Sequence, residues 1–221
     1  MGKRLAYIHT VAGLTSTFKA LSEELLPGVD LFHIVDESLL QNTIRANQLT
    51  AQTMRRLLRL IVSAEEAGAE IVMVTCSSMG PAVEASRPFV SIPVLRVDEP
   101  MAQLAVQSGS TIGVAATLQT TLKPTVDLIT HVAAQQGRAV RVVSKLCEGA
   151  FQAVVSGDPA RHDQLVAAGL QELVPQVEVV VLAQASMARV VESLPEEMRR
   201  IPILSSPRLA VERLAQVIPT L

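Results

Sequence analysis

Two stretches of this sequence can be laid on one another: EIVMVTCSSMG, starting at Glu70, and EVVVLAQASMA, starting at Glu178. Acidic residue meets acidic residue, four apolar positions meet four apolar positions, and Ser-Met meets Ser-Met. Cys76 and Gln184, 108 residues apart, break the match. IPVL at Ile92 returns as IPIL at Ile201 after 109 residues, and LAYIHT, ending at Thr10, returns as IGVAAT, ending at Thr117, after 107. A near-constant offset at three landmarks reads as one topology written twice. Each copy must then close its own core in roughly 110 residues, a common size for a small domain.

The order of elements narrows the choice further. Strand-like runs at 5–8, 31–35, 71–75 and 94–97 are followed by a second set at 111–115, 140–143, 177–183 and 202–204. Helical patterns separate them at 15–26, 41–67, 99–106, 120–135, 162–174 and 207–217. The segment 41–67 reads as one long helix, with Leu57, Leu58, Ile61 and Val62 on a stripe near period 3.6. Alternating strand and helix predicts parallel sheets with helices on both faces. Composition agrees: 49% of residues are hydrophobic and only 18% charged, as strands buried on both sides require. The predicted fold is therefore α/β, in two pseudo-symmetric parallel-sheet domains.

Several classes of function are set aside by composition. No apolar run approaches the roughly 18 residues of a membrane span, so no membrane partner is expected. The opening MGKRLAYIHT reads as a first strand, with neither the apolar core nor the cleavage site of a signal peptide; a cytoplasmic location is the default expectation. Net charge is −2 with basic residues scattered, aromatic residues make up 2%, and Trp is absent, so no nucleic-acid partner is expected. Cys76 and Cys147 are too few for a disulfide scaffold, and no metal-ligand spacing occurs.

In parallel α/β sheets, ligands bind beyond the carboxyl ends of the strands. His9-Thr10 follow the first predicted strand, Cys76-Ser77-Ser78 the third, Thr117 with Thr120-Thr121 the fifth, and Gln184-Ala185-Ser186 the seventh. With the halves facing each other, these pieces border one site at the domain interface, Cys76 and Gln184 on opposite sides. Cys76 precedes a helix predicted to begin near Met79, whose free N–H groups and dipole would lower a thiol's pKa and hold a carboxylate. The competing reading is a buried, inert cysteine. Thr10, Ser77, Ser78, Thr117, Thr120, Thr121 and Ser186 suit a small carboxylate as a group, although each alone could serve as a helix cap. His9 is either a spare acid or base at that rim or a hydrogen-bonded structural histidine. Cys147 is read as packing, and His33, His131 and His162 are placed on strand or helix surfaces without a role.

VMVTCSSMG, GVAATLQTTLKPT and VVVLAQASMA together resemble the aspartate/glutamate/hydantoin racemase superfamily, which includes the arylmalonate decarboxylases, over essentially the whole chain. The resemblance implies a cofactor-independent isomerase acting on a small carboxylate: an amino acid, a hydantoin or a related acid. It also implies that the last helix returns to the first half, giving domains 1–97 plus 206–221 and 98–205. In such racemases two thiols face opposite sides of a carbon next to a carboxylate. One takes the proton as thiolate and the other donates one to the far face, while hydrogen-bond donors stabilise the developing enolate-like charge. Cys76 matches the first thiol, and Gln184 stands at the second position. A carboxamide neither releases nor binds a proton at neutral pH. Two-thiol racemisation then requires His9, Cys147 or a water to supply the missing acid. Three readings follow: isomerisation through Cys76, a single-cysteine decarboxylase with Gln184 orienting substrate or oxyanion, and a carboxylate-binding protein without catalysis. A homo-oligomer through a helical face is compatible with this sequence, though no feature specifies it.

Overall fold

The computed structural model describes residues 3–220. In chain order the main elements are β1 (Arg4–His9), α1 (Leu14–Leu25), β2 (Asp30–Val35), α2 (Glu37–Ala46), α3 (Ala51–Glu66), β3 (Ile71–Val74), α4 (Gly80–Ser86), β4 (Val94–Arg96) and α5 (Glu99–Ser108). They continue as β5 (Thr111–Ala116), α6 (Gln119–Gln135), β6 (Arg141–Leu146), α7 (Ala150–Val155), α8 (Pro159–Leu173), β7 (Val179–Leu182), β8 (Ile203–Ser205) and α9 (Ser206–Val217). The chain divides into two compact units, Met1–Glu99 with Pro207–Leu221, and Pro100–Ser206. No described helix is long and apolar enough to cross a membrane.

Each unit holds one four-stranded sheet, in the orders β2-β1-β3-β4 and β6-β5-β7-β8, with every pairing parallel. The registers show that these are two copies of one design. In the first sheet Leu5 pairs with Ile71 and Ile8 with Val74; in the second Ile112 pairs with Val179 and Ala115 with Leu182. At the edge, Val72 faces Val94 as Val180 faces Ile203. Equivalent residues are thus displaced by 107 in the central strand, 108 in its neighbour and 109 at the edge, the same offsets as the sequence repeats.

Strand alternation sends odd and even residues of β1 and β3 into different cores. Ala6, Ile8, Val72 and Val74 pack under α2, α3 and α4 through Leu39, Leu57, Ile61 and Val83. Leu5, Tyr7, Ile71 and Met73 pack against Phe18 of α1 and against Ala210, Val211 and Leu214 of α9. In the second unit Ala115, Val180 and Leu182 lie against Ala150 of α7 and Val166, Leu170 and Leu173 of α8. Burying one such aliphatic side chain contributes about 1.5–3 kcal/mol, so these layers supply most of the favourable energy of each unit.

The repeated acidic residue has a mechanical explanation. Glu70 immediately precedes β3, and its carboxylate accepts the Arg4 N–H at 3.0 Å while pairing with Lys3 Nζ at 2.7 Å. Glu178 precedes β7 and accepts the N–H groups of Ser110 and Thr111 at 2.6 and 2.9 Å. Each carboxylate ties the start of one strand to the start of the central strand beside it. Gly109 belongs to the second tie, because a Cβ there would stand 2.8 Å from Glu178 Cβ.

The expected 41–67 helix is two helices. α2 ends where Asn47 adopts a left-handed conformation at φ 50°, and α3 starts anew after Thr50, whose hydroxyl accepts the Thr53 N–H. Asp36 caps α2 through the Ser38 N–H and reaches Arg56 of α3 at 2.7 Å, locking the two helices together. The buried stripe of α3 is Thr53, Leu57, Ile61 and Ala64, so the predicted Leu58 and Val62 sit at its margin. α7, preceded by Gly149 at φ 78°, was not expected, and the chain after Gln184 forms 3₁₀ turns at Ala185–Ser193 and Glu196–Arg199.

Both tying carboxylates titrate below the usual carboxylate range: Glu70 chiefly through its bond with Lys3, Glu178 chiefly through the Thr111 N–H. A depressed carboxylate contributes stability that is present above its ordinary pKa of 4.5 and lost as pH falls below it. Glu178→Gln should therefore lower the melting temperature at pH 7 and flatten its fall below pH 4.5, as read by circular dichroism melts across pH 3–7.

Candidate active site

The two strand-end motifs follow directly from the ladders. Two residues beyond the Ile8–Val74 pair stand Thr10 and Cys76; two beyond Ala115–Leu182 stand Thr117 and Gln184. In each unit, a threonine leaving the central strand meets the residue leaving its neighbour.

In the first unit that residue is a half-buried thiol. Cys76 leaves β3 in an extended conformation, a 3₁₀ turn at Ser77–Met79 follows, and α4 begins at Gly80. Burial pushes the Cys76 thiol above its ordinary pKa of 9.0. The Thr10 hydroxyl, the Ser78 and Met79 N–H groups and the Ser78 hydroxyl all pull the other way, without overcoming it. The expected activation by a helix terminus is thus outweighed: α4 is only seven residues long, and removal of the thiolate from water costs more than four neutral donors return. Thr10, Ser77 and Ser78 are all buried beside this turn.

In the second unit the equivalent residue is closed on itself. Gln184 Oε1 accepts the Thr117 N–H at 2.7 Å, and Gln184 Nε2 donates to Thr117 Oγ1 at 2.6 Å. Both ends of the carboxamide are used to hold the chain where β5 turns into α6. Thr120 and Thr121 lie in the first turn of α6. Thr121 is buried, and Thr120 Oγ1 is enclosed with no hydrogen-bond partner among the described residues. Ser186 is exposed in the following 3₁₀ segment and joins neither threonine.

His9 does not belong with the thiol. It shares the odd-numbered face of β1 with Tyr7, stacks with Tyr7 and His33 and lies tilted against Phe18, whereas Cys76 packs on the opposite core. Its Nδ1 is 2.8 Å from Thr75 Oγ1, its Nε2 2.8 Å from His33 Nδ1. Thr75 donates its hydroxyl to the Ile8 carbonyl, so the consistent arrangement has His9 Nδ1–H donating to Thr75 and His33 Nδ1–H donating to His9. Burial, then His33, pushes the His9 pKa down to about 4. Both ring nitrogens of His9 thus have partners, and His33, expected on a surface, is part of the same chain of rings.

Cys147 is packed, as expected: it is buried against Ala115, Val166 and Leu170, and burial raises its thiol to about 11. A Cβ on Gly169 would lie 2.5 Å from its sulfur, so that glycine makes the seat for it. His162, also placed on a surface by the sequence, is fully buried and bonded to Asp163 at 2.7 Å. Sequence reading missed the ion pair of Arg96 and Asp98 altogether; both are buried, and RVDEP gives no cue beyond opposite charges two residues apart. Among the described residues, no group of three or more His, Cys, Asp or Glu could hold a metal ion.

Two parallel-sheet units of one topology thus carry a thiol motif in the first and its amide counterpart in the second. The Asp/Glu/Hydantoin racemase family model matches residues 8–214. The chain belongs to that family, and so to the racemase-type isomerases. The fold is similar to glutamate racemase isoform RacE1 from Bacillus anthracis, at a TM-score of 0.79 and 18% identity over 99% of this chain and 82% of that one. Allantoin racemase from Klebsiella pneumoniae gives 0.70 and 17%, over 99% and 88%. Picrophilus torridus aspartate racemase gives 0.74 and 14%, over 99% and 95%. Compared by sequence alone, no curated protein matches the chain significantly.

Two measurements follow. Gln184→Ala removes two hydrogen bonds at about 0.5–1.5 kcal/mol each, so urea unfolding should show a loss of about 1–3 kcal/mol, smaller for Gln184→Glu, which keeps acceptors for the Thr117 N–H and hydroxyl. His9 stays neutral in the fold well below its ordinary pKa of 6.5, while the unfolded chain takes up the proton. Stability is therefore lost as pH falls from 6.5 to about 4, and His9→Asn should remove much of that slope in urea titrations at stepped pH.

Proposed function

We propose that this racemase-family chain is a cofactor-independent enzyme whose one working thiol, Cys76, moves a proton at the carbon next to a carboxylate in a small acid. The observation that carries this reading is the asymmetry of the two strand ends. One presents a thiol with two hydroxyls and two backbone N–H groups converging on it; the other presents an amide already closed on Thr117.

The chemistry follows from what each group can do. As thiolate, Cys76 takes the proton from the carbon, and the electron pair moves into the carboxylate as an enolate-like oxyanion. Hydroxyl and N–H donors held in place lower the energy of that charge. Returning the proton from Cys76 delivers it to the face it left. Gln184 cannot act as an acid, because a carboxamide does not titrate. The substrate class is an amino acid, a hydantoin or a related acid, in line with the glutamate, aspartate and allantoin racemases of like fold.

The raised thiol pKa favours a second reading at the same residue. A thiol protonated at neutral pH is equipped to give a proton first. In a decarboxylation the bond to the leaving CO₂ would pass its electrons to the carbon, which then takes the proton of Cys76; the thiolate recovers one from water.

Both readings are tested in deuterated water with amino acids, hydantoins and substituted malonates, with wild type beside Cys76→Ser. Mass spectrometry reads deuterium at the carbon and loss of CO₂; chiral chromatography reads inversion. The expected result is deuterium uptake with retention, reduced at least about 100-fold by Cys76→Ser. CO₂ loss with uptake of one deuteron selects the decarboxylase. Inversion would mean that another residue supplies the second proton, against the one-thiol mechanism. Ligand binding without exchange, inversion or CO₂ loss would leave a carboxylate-binding protein.

A further inference from the structure

Arg96, the last residue of β4, is 4% exposed, and Asp98 is fully buried. Their contact is two-pronged: Arg96 Nε to Asp98 Oδ1 at 3.0 Å and Nη2 to Oδ2 at 2.9 Å. The third nitrogen, Nη1, is held by Glu84 of α4. Desolvating such ions is costly, and a buried pair contributes little net stability compared with apolar packing. What a doubly gripped guanidinium does provide is a rigid plane in a fixed place.

That plane lies against Gly80. A Cβ on Gly80 would fall 2.2 Å from Arg96 Cζ and Nη2 and 2.7 Å from Nε. The Gly80 backbone is ordinary helix, φ −49° and ψ −49°, so no conformational demand calls for glycine there. The close approach of Arg96 does. Gly80 closes the Ser77–Met79 turn, giving its N–H to the Ser77 carbonyl. The Met79 N–H closes that same turn on the Cys76 carbonyl at 3.0 Å, and the Ser78 and Met79 N–H groups both favour the thiolate of Cys76. Arg96 also stands beside the strand end from which the turn departs, since it pairs with Val74, and Val97 N–H bonds the Val74 carbonyl at 3.2 Å.

We infer that Arg96, clamped by Asp98 and Glu84, is a positioning residue that bears on Gly80 and so holds the Ser78 and Met79 amides against the Cys76 sulfur. Its value to catalysis rests on Cys76 being the proton carrier; its geometry does not. The groups that face the sulfur are the Thr10 hydroxyl from the end of β1 and the Ser78 and Met79 groups from the turn, all uncharged. If the turn lifts, the thiolate loses donors and the thiol becomes harder to ionise.

The test reads the thiol directly and needs no substrate. Alkylation of Cys76 by iodoacetamide is followed from pH 6 to 11 by peptide mass spectrometry, which separates it from Cys147, with melting temperature measured on each sample. Gly80→Ala leaves every ionic group in place but forces the turn off the guanidinium; Arg96→Lys keeps the charge and loses the planar fork. Both should move the midpoint up by about one unit, slowing alkylation about tenfold below it. A lower melting temperature with an unchanged or lowered midpoint would mean that the cluster is merely structural, and the inference would fall. If neither variant folds, Glu84→Gln, at the half-exposed edge of the cluster, should give a smaller rise, and no rise there is equally fatal. A midpoint shift without any deuterium exchange in wild type would remove the proposed function and leave the positioning role standing; exchange without a shift would do the reverse.

Discussion

Parallel pairing is the constraint on which the rest of this protein depends. When strands run in one direction, all of them end at one edge of the sheet, and the residues just past neighbouring strands become neighbours themselves. Here that rule sets Thr10 beside Cys76 and Thr117 beside Gln184, from residues 66 or 67 apart in sequence. A shift of one residue in either ladder would turn the thiol or the amide to the other face of its sheet. The carboxylates of Glu70 and Glu178 guard against that slip from the opposite edge, where each fixes the starting level of two adjacent strands.

The same threonine position serves two different masters. In the first unit the Thr10 hydroxyl faces a sulfur whose pKa burial pushes up and whose donors only partly bring it back. In the second, Thr117 is saturated by an amide that asks nothing more of its surroundings. One strand end stays chemically poised while the other is structurally satisfied. Such a pair is no longer symmetric in chemistry even though the ladders beneath it are symmetric in register.

Much of this was legible in the sequence, for a physical reason. Parallel strands buried on both faces are short, apolar and regularly spaced, so the repeats at 107, 108 and 109 residues already mark two halves of like topology. The position of His9 was also recoverable, since period-two alternation already groups it with Tyr7 and not with Thr10. The break at Asn47 was missed because the apolar stripe of α3 masks the cap at Thr50. The sign of the Cys76 shift could not be read, because donors are visible in a motif and burial is not. Arg96 and Asp98 were hidden most deeply: their meaning depends on a glycine sixteen residues upstream whose own backbone gives no hint of it.

The return of α9 has a consequence for the order in which the protein can assemble. The core around Leu5, Tyr7 and Met73 includes Ala210, Val211 and Leu214, so the unit that begins first in the chain is sealed by its last helix. The second unit is a single uninterrupted stretch, Pro100–Ser206, with all its strands in hand before α9 is made. As a ribosome extends the chain, at about 5–20 residues per second, the later-starting unit can close first. The part of the β1 and β3 face that α1 leaves open meanwhile waits for α9, and over that interval it is a surface in need of shelter from other chains.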